Sequence, residues 1–161
     1  MAADFEPLIQ LLGSDRARFM DGPYSRQTSW SMIMCEAGSW DILGYGSWGI
    51  ETNDGVFLGQ VGINKPPNFP ELELGWVLLD TAEGQGFARE AAQAALNWAW
   101  EQGHETLVSY IDRQNDRSIA LAQRLGALED ANAPLPDGET SEDTVVYRHA
   151  ADTDGSPEAY A

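Results

Sequence analysis

The apolar residues of this chain recur with two periods, one typical of amphipathic helices and the other of half-buried strands. Glycine, proline and aspartate separate the periodic segments, and Asp54-Gly55 between two strand-like segments is typical of a hairpin turn. The pattern therefore predicts an α/β domain with helices packed against a sheet. Helices are predicted at residues 4–13, 26–42, 86–102 and 115–125, and strands at 47–51, 56–63, 71–79, 106–111 and 144–148.

The turn Gly84-Gln85-Gly86 joins a predicted strand directly to a long predicted helix. Two glycines let backbone N–H groups approach a phosphate, and the helix N-terminus adds unsatisfied donors and partial positive charge. Phe87 and Ala88 exclude a Gly-Lys-Ser/Thr phosphate loop, and Arg89 replaces the third glycine of the dinucleotide fingerprint. The turn alone is therefore as compatible with an ordinary strand–helix connection as with a phosphate site.

A second motif lies downstream of the turn, and the order of the two motifs is more specific than either motif alone. Asn115-Asp116-Arg117-Ser118 begins a predicted helix that ends at Leu125-Gly126. Together with Glu83-Gly84-Gln85-Gly86-Phe87-Ala88, this order resembles the GCN5-related N-acetyltransferase (GNAT) superfamily, and most closely its RimJ/RimL-like branch. Glu83 departs from the Gln or Arg that begins the family's (Q/R)-x-x-G-x-(G/A) loop. The resemblance covers roughly residues 43–148 and implies a mixed, mostly antiparallel sheet with flanking helices.

The resemblance also implies acetyl-CoA as co-substrate. In the family the glycine loop holds the pyrophosphate, and the pantetheine arm lies between two parallel strands that splay apart, here residues 71–79 and 106–111. Asn115 would bind this arm, although asparagine also favours a helix N-cap and the two roles can coexist. Arg89 is equally well explained as a solvated helix residue. The expected cofactor-binding residues are Val77, Leu78, Leu79, Gly84, Gln85, Gly86, Phe87, Ala88, Arg89 and Asn115.

Acyl transfer to an amine needs a base for the ammonium proton and a donor for the departing thiolate. Glu73 lies on the strand that enters the implied site, and it is either the base or a carboxylate that only attracts a cationic substrate. Ala122 stands where many family members carry a catalytic tyrosine. By resemblance to RimL-like enzymes we name Ser118 as the donor, with an ordinary first-turn helix serine as the alternative. Tyr110 is a weaker candidate for the same role.

Family members usually begin with a strand that has no counterpart before the first predicted helix here, so either that strand is absent or another segment or subunit covers the exposed sheet edge. Such an edge is a reason to expect a homo-oligomer. Residues 1–149 are predicted to form a single acetyltransferase domain, and residues 150–161 to form a flexible acidic tail.

The composition is strongly acidic, with a formal net charge of −17 and Lys65 as the sole lysine. Such a protein is expected to repel nucleic acid and anionic membranes and to attract cationic amines, unless the acidity serves only solubility. The sequence has neither a run of 18 apolar residues nor a secretory signal, which favours the cytoplasm. Cys35 is expected to be a buried structural thiol, and one cysteine with two distant histidines predicts no metal site.

The resemblance implies an N-acetyltransferase that moves an acetyl group from acetyl-CoA to a protein N-terminus or a small cationic amine. Direct attack by the amine is expected, because a buried Cys35 could not form an acetyl-enzyme. The alternative is an acyl-CoA sensor of the same fold that has lost turnover. The acceptor is expected to be set by three segments, none of which carries a recognition motif: residues 65–70, the helix from Arg26 and residues 130–143.

Overall fold

The computed structural model describes residues 4–151, in which helices cover both faces of a six-stranded sheet. The α-helices are α1 (Phe5–Leu12), α2 (Arg26–Leu43), α3 (Phe87–Glu101) and α4 (Asp116–Arg124). The strands are β1 (Ser47–Glu51), β2 (Phe57–Asn64), β3 (Glu73–Leu78), β4 (Thr106–Asp112), β5 (Leu128–Glu129) and β6 (Thr144–Ala150). Short 3₁₀ helices, Asp15–Met20 and Asp80–Ala82, follow α1 and β3; these two helices and β5 were not predicted from the sequence.

Side chains that cap helices set two of the helix starts. The Ser25 hydroxyl accepts a hydrogen bond from the Thr28 N–H at the start of α2. Asn115 Oδ1 accepts the Ser118 N–H at 3.2 Å and begins α4. Each cap satisfies a backbone donor that has no partner inside the helix, which is why both starts could be predicted.

The sheet is mixed and mostly antiparallel, as expected. The strand order is β1-β2-β3-β4-β6-β5, and only β3 and β4 run parallel. The β3–β4 ladder contains one register pair, Glu73 opposite Val108, although both strands continue beyond it. A gap therefore opens between the two central strands, at the place where the resemblance implies a splay.

Two apolar layers hold the helices on the sheet. The larger layer lies between the sheet and α3, where Leu96 and neighbouring alanines pack against Leu74 and Leu78. On the opposite face α1 packs Leu8, Leu11 and Leu12 against Phe57. Val77 of β3 also packs against this α1 layer, so apolar side chains support β3 from both faces.

No strand precedes β1 within residues 4–151, so β1 forms a sheet edge with β2 as its single neighbour. The Trp40 indole donates to the Ser47 carbonyl at 3.0 Å and covers one end of this edge. Trp40, Trp48 and Trp98 then pack edge to face, with ring centroids 4.7–5.5 Å apart. A groove of about 340 Å³ opens beside them between β1 and α3.

Helix α2 is less buried than its periodic pattern indicates. Ile33 packs against the α1 layer, but Trp30 and Met34 are 51% and 39% exposed. Cys35 is also exposed, so the expectation of a buried structural thiol is wrong. A helical period identifies an apolar stripe, but it does not show how much of that stripe finds a partner.

The C-terminal strand runs further than predicted. β6 continues to Ala150, and the Ala151 N–H donates to the Glu105 carbonyl at 3.0 Å. The first residue of the predicted tail is therefore paired in the sheet, while its residues 152–161 lie outside the described part of the chain.

Candidate active site

The turn between β3 and α3 has a backbone shape that suits an anion. Gly84 and Gly86 have φ angles of 70° and 88°, which L-residues rarely adopt. A Cβ atom at either position would meet no other atom within 4 Å, so the space above the turn is open. Gly86 is the N-cap of α3, and no side chain caps this helix. The first-turn N–H groups, those of Phe87, Ala88 and Arg89, thus have no acceptor within the helix, as a bound phosphate requires.

A groove of about 340 Å³ lies at the same helix end and is lined by Gly86, Arg89, Glu90 and Gln93. Arg89 is exposed there and can supply positive charge to an anion in the groove. The Gln85 side chain instead turns back and donates to the Thr81 carbonyl at 2.7 Å. The open turn, the uncapped helix and the arginine together fit a phosphate group.

The register of β3 decides which of its backbone groups face the gap. The Leu79 N–H donates to the Leu58 carbonyl at 2.8 Å, and Val77 lies opposite Gln60 of β2. Antiparallel alternation therefore turns the backbone groups of Val77 and Leu79 towards β2, and those of Trp76 and Leu78 towards the gap. This register favours the backbone groups of Trp76 and the N–H of Leu78 over Val77 and Leu79 as partners of a pantetheine arm, since the Leu78 carbonyl already accepts from Arg16. Trp76 was not among the cofactor-binding residues expected from the sequence.

A buried pair of polar side chains replaces the missing ladder bonds at the gap. Ser109 of β4 donates through its hydroxyl to the Leu74 carbonyl at 2.6 Å, and its Oγ lies 3.0 Å from His149 Nε2. Burial lowers the pKa of His149 to about 4, so its ring is neutral at physiological pH. Because Ser109 donates to Leu74, the imidazole Nε2–H is the donor to Ser109. The Leu74 carbonyl thus pairs with a side chain where a regular ladder would use a β4 N–H.

Glu73 lies where the gap begins, and its carboxyl group is strongly perturbed. Burial raises the pKa of Glu73 to about 8, and the charges of Glu139 and Glu36 also raise it. The Tyr110 N–H approaches the carboxylate and partly opposes this by favouring the charged form. A carboxyl group with a pKa near neutrality is suited to accept a proton from an ammonium.

Two further carboxyl groups, from distant parts of the chain, lie close enough to Glu73 to raise its pKa. Glu36 of α2 accepts a hydrogen bond from Gln60, and its pKa is nevertheless raised because burial outweighs that bond. Glu139 accepts a hydrogen bond from the Thr144 hydroxyl. Neither glutamate was predicted from the sequence, and the one signal for Glu36 is its place in an otherwise apolar run of α2.

Glu71 differs sharply from Glu73, although it lies only two residues away. Both of its oxygens accept hydrogen bonds from Arg148, at 2.7 and 2.8 Å, and this pairing lowers the pKa of Glu71. Asp130 accepts from the same guanidinium at 2.7 Å. Glu71 is therefore held as a structural anion, and Glu73 is the carboxyl group near the gap that can exchange a proton.

Ser118 is brought to β3 by a hydrogen bond. The Trp76 indole N–H donates to Ser118 Oγ at 3.2 Å, which leaves the serine's own O–H free to donate elsewhere. Asn115 uses its carbonyl oxygen for the helix cap, so its amide N–H groups could still serve a ligand. Ala122 is fully buried and packs with Ile111 and Val145, and its methyl group has no proton to donate.

Comparison with known proteins identifies the family. Residues 1–128 match the family model described as acetyltransferase (GNAT) domain. The chain belongs to the GNAT family. The acetyltransferase from Agrobacterium tumefaciens str. C58 is 37% identical, with a TM-score of 0.86 over 94% of this chain and 87% of that one. The predictions of a GNAT acyltransferase family and a GNAT fold are therefore confirmed.

Two other comparisons are more limited. The ribosomal L7/L12 α-N-protein acetyltransferase RimL in complex with coenzyme A is 20% identical, with a TM-score of 0.74 over 94% of this chain and 91% of that one. This identity shows the GNAT fold alone, so the RimJ/RimL-like branch stays a prediction. The uncharacterized protein YkkB of Bacillus subtilis is 35% identical over 75 residues, which are 45% of this chain and 44% of that protein. The match thus spans under half the length of this curated relative.

The GNAT sheet places the candidate base and donor on opposite faces. Side chains alternate along β3, so Glu73 projects to the face of α1 and α2, whereas Trp76 and its partner Ser118 lie on the face of α3 and α4. A reacting group in the gap could be reached by both side chains.

Within residues 4–151, no helix is both long and apolar enough to cross a bilayer, and no cluster of three or more potential ligand side chains is arranged for a metal.

Proposed function

We propose that this GNAT protein transfers an acetyl group from acetyl-CoA to a primary amine, with Glu73 as the general base. The observation that carries the proposal is the Glu73 carboxyl, which lies beside the β3–β4 gap and whose pKa burial raises to about 8. Membership of an acetyltransferase family and the open glycine turn support acetyl-CoA as the co-substrate. Glu73 then supplies the proton acceptor that an ammonium substrate requires.

In the proposed reaction the ionised form of Glu73, which predominates above about pH 8, takes a proton from the substrate ammonium. The neutral amine then attacks the thioester carbonyl. Backbone N–H groups of Trp76 and Leu78 face the gap and can donate to the developing oxyanion. When the tetrahedral intermediate collapses, the C–S bond breaks and the amide forms. The attacking nitrogen loses its second proton to solvent, and the Ser118 hydroxyl stabilises the departing thiolate by donating a hydrogen bond to its sulfur. The reaction therefore needs no acetyl-enzyme, although Cys35 is exposed.

The negative charges near Glu73 support a cationic acceptor, either a protein N-terminus or a small amine. Glu36 and Glu139 add negative charge around Glu73, which favours binding of an ammonium. The two loops expected to set the acceptor also meet, because the Asp137 N–H donates to the Asn68 carbonyl at 3.0 Å. Phe69 from the first loop packs edge to face on Tyr110, with ring centroids 5.1 Å apart. A homo-oligomer and a cytoplasmic location stay predictions from the sequence.

The first experiment measures binding of acetyl-CoA by isothermal calorimetry. Gly86→Asp puts a side chain and a negative charge into the open turn and is expected to abolish binding. Gly103→Asp is the matched control, since Gly103 lies beyond the other end of α3, has a φ of 87° and also has an open Cβ position. Binding by the wild type and the control, but not by Gly86→Asp, is the expected result. A folded wild type that binds no acetyl-CoA would refute the proposed function.

Turnover then separates an enzyme from a sensor. Thiol release is followed with a panel of amines, in a Cys35→Ser background because the exposed Cys35 would react with a thiol reagent. Glu73→Gln is expected to reduce turnover by about 10²- to 10⁴-fold and to leave the affinity for acetyl-CoA unchanged. Tight binding of acetyl-CoA without thiol release from any amine would instead support the sensor.

A further inference from the structure

The glycine turn is preceded by an ion-pair network that joins three separate elements. Glu83, the residue before Gly84, accepts from Arg16 Nη2 at 2.5 Å and from Arg117 Nη1. Arg16 comes from the first 3₁₀ helix, and Arg117 from the first turn of α4. Burial alone would raise the pKa of Glu83, but the hydrogen bonds from Arg117 and Arg16 outweigh it and lower the pKa, so Glu83 is ionised. The one carboxylate of Glu83 thus pairs with both guanidinium groups.

The two arginines are held with very different strength. Arg16 donates to the Leu78 carbonyl through Nε and Nη2, at 3.1 and 3.0 Å, and also pairs with Asp80 at 3.1 Å. Its side chain is 25% exposed, whereas that of Arg117 is 77% exposed. In the described part of the chain Glu83 is the one ion-pair partner of Arg117. Arg16 is therefore fixed in place, and Arg117 can leave its partner at low cost.

The negative net charge of the protein favours transfer of Arg117 from Glu83 to a bound phosphate. The protein carries a formal net charge of −17, so an anionic co-substrate needs local positive charge to bind. Arg117 is tied to the residue that begins the glycine turn, which puts its guanidinium beside the expected phosphate position. If a phosphate takes over Arg117, Glu83 is not left unpaired, because Arg16 retains it. The exchange replaces one charge-assisted pair with another and leaves no buried charge without a partner.

We propose that Arg117 binds a phosphate group of the CoA co-substrate by exchanging it for the Glu83 carboxylate, which remains paired with Arg16. This inference rests on the proposed function, since it takes acetyl-CoA as the ligand. It makes Glu83 an internal anion that competes with the ligand for Arg117. Removal of the competing charge should therefore tighten binding, which is the opposite of the usual effect of a mutation in a binding site.

The test is a calorimetric titration of acetyl-CoA into the wild type and three variants at two salt concentrations. Arg117→Gln removes the phosphate partner and is expected to weaken binding about fivefold at low salt. Glu83→Gln keeps the shape but not the charge and is expected to tighten binding about threefold. Arg124→Gln changes an exposed arginine at the far end of the same helix and should bind like the wild type. The affinity of Arg117→Gln should also depend less on salt than that of the wild type.

The outcomes distinguish this inference from the proposed function. If the wild type binds acetyl-CoA and Arg117→Gln binds it equally well, the exchange is refuted while the acetyltransferase proposal stands. Weaker binding by Glu83→Gln would also overturn the exchange, because Glu83 would then help to hold the ligand site. No binding by the wild type would remove the proposed function and this inference together.

Discussion

Replacing Glu73 with glutamine is expected to change how the stability of the protein depends on pH. Burial raises the pKa of Glu73 from an ordinary value of 4.5 to about 8. Between these values the folded protein holds a proton that the unfolded chain releases. The stabilisation from this proton is complete below pH 4.5 and is lost as the pH rises through about 8. Glutamine has no such proton, so its contribution is independent of pH.

The size of the effect follows from the pKa shift. One unit of pKa is worth about 1.4 kcal/mol, so the stability of Glu73→Gln relative to the wild type should rise by about 1.4 kcal/mol per pH unit between pH 5 and pH 8. The whole shift corresponds to roughly 3–5 kcal/mol above pH 8. This is a large part of the stability of an ordinary domain, so the variant should be the more stable protein in mildly alkaline solution.

The assay is urea unfolding of both proteins at several pH values from 5 to 8.5, which needs no knowledge of the acceptor amine. Glu71→Gln is the matched control. Arg148 lowers the pKa of Glu71, so this carboxyl is ionised in the folded and unfolded states throughout the range. The stability difference between Glu71→Gln and the wild type should thus be constant with pH. A constant difference for Glu73→Gln as well would refute the raised pKa and remove the main support for Glu73 as the base.

Three further predictions concern other residues. Ser118→Ala should lower kcat at least tenfold without weakening acetyl-CoA binding, as judged from steady-state kinetics and calorimetry; unchanged kcat would make Ser118 an ordinary first-turn residue. Ser109→Ala leaves the Leu74 carbonyl and His149 without their shared partner, so urea unfolding should show a loss of about 1–3 kcal/mol, and an unchanged midpoint would contradict this. Cys35 is exposed, so Ellman's reagent should titrate one thiol in the native protein; a thiol that reacts only after unfolding would contradict the position of Cys35.

The sequence was informative where structure depends on neighbouring residues. Ser25 and Asn115 cap helices that start where predicted, because a cap involves residues only two or three positions apart. The turn at Gly84 and Gly86 was readable for the same reason, since positive φ angles belong to single residues. β5 has two residues, too few to produce a period, so it could not be recognised before its pairing with β6 was known.

The proposed acceptor side of the site could not be predicted, because its residues come from distant segments. Glu36, Glu73 and Glu139 come from α2, β3 and the loop before β6, and their interaction depends on the folded arrangement of all three. The same limit applies to Arg16, which is 62 residues from the Leu78 carbonyl it binds. The sequence around either residue does not indicate this contact, since a single arginine adds no periodic pattern and can pair with many different acceptors.

The folded arrangement explains how one acidic protein could handle two substrates of opposite charge. Three of its eight arginines, Arg16, Arg89 and Arg117, lie around the glycine turn that follows β3, whereas the negative charges of Glu36 and Glu139 act on Glu73 at the start of that strand. Charges separated by more than about 8 Å are largely screened at physiological salt, so each end can attract its own ligand. Moderate salt should therefore weaken binding of acetyl-CoA and of a cationic acceptor alike, because each depends on a local cluster of charge. An affinity for acetyl-CoA that rises with salt would instead mean that the overall charge of −17 dominates the arginines.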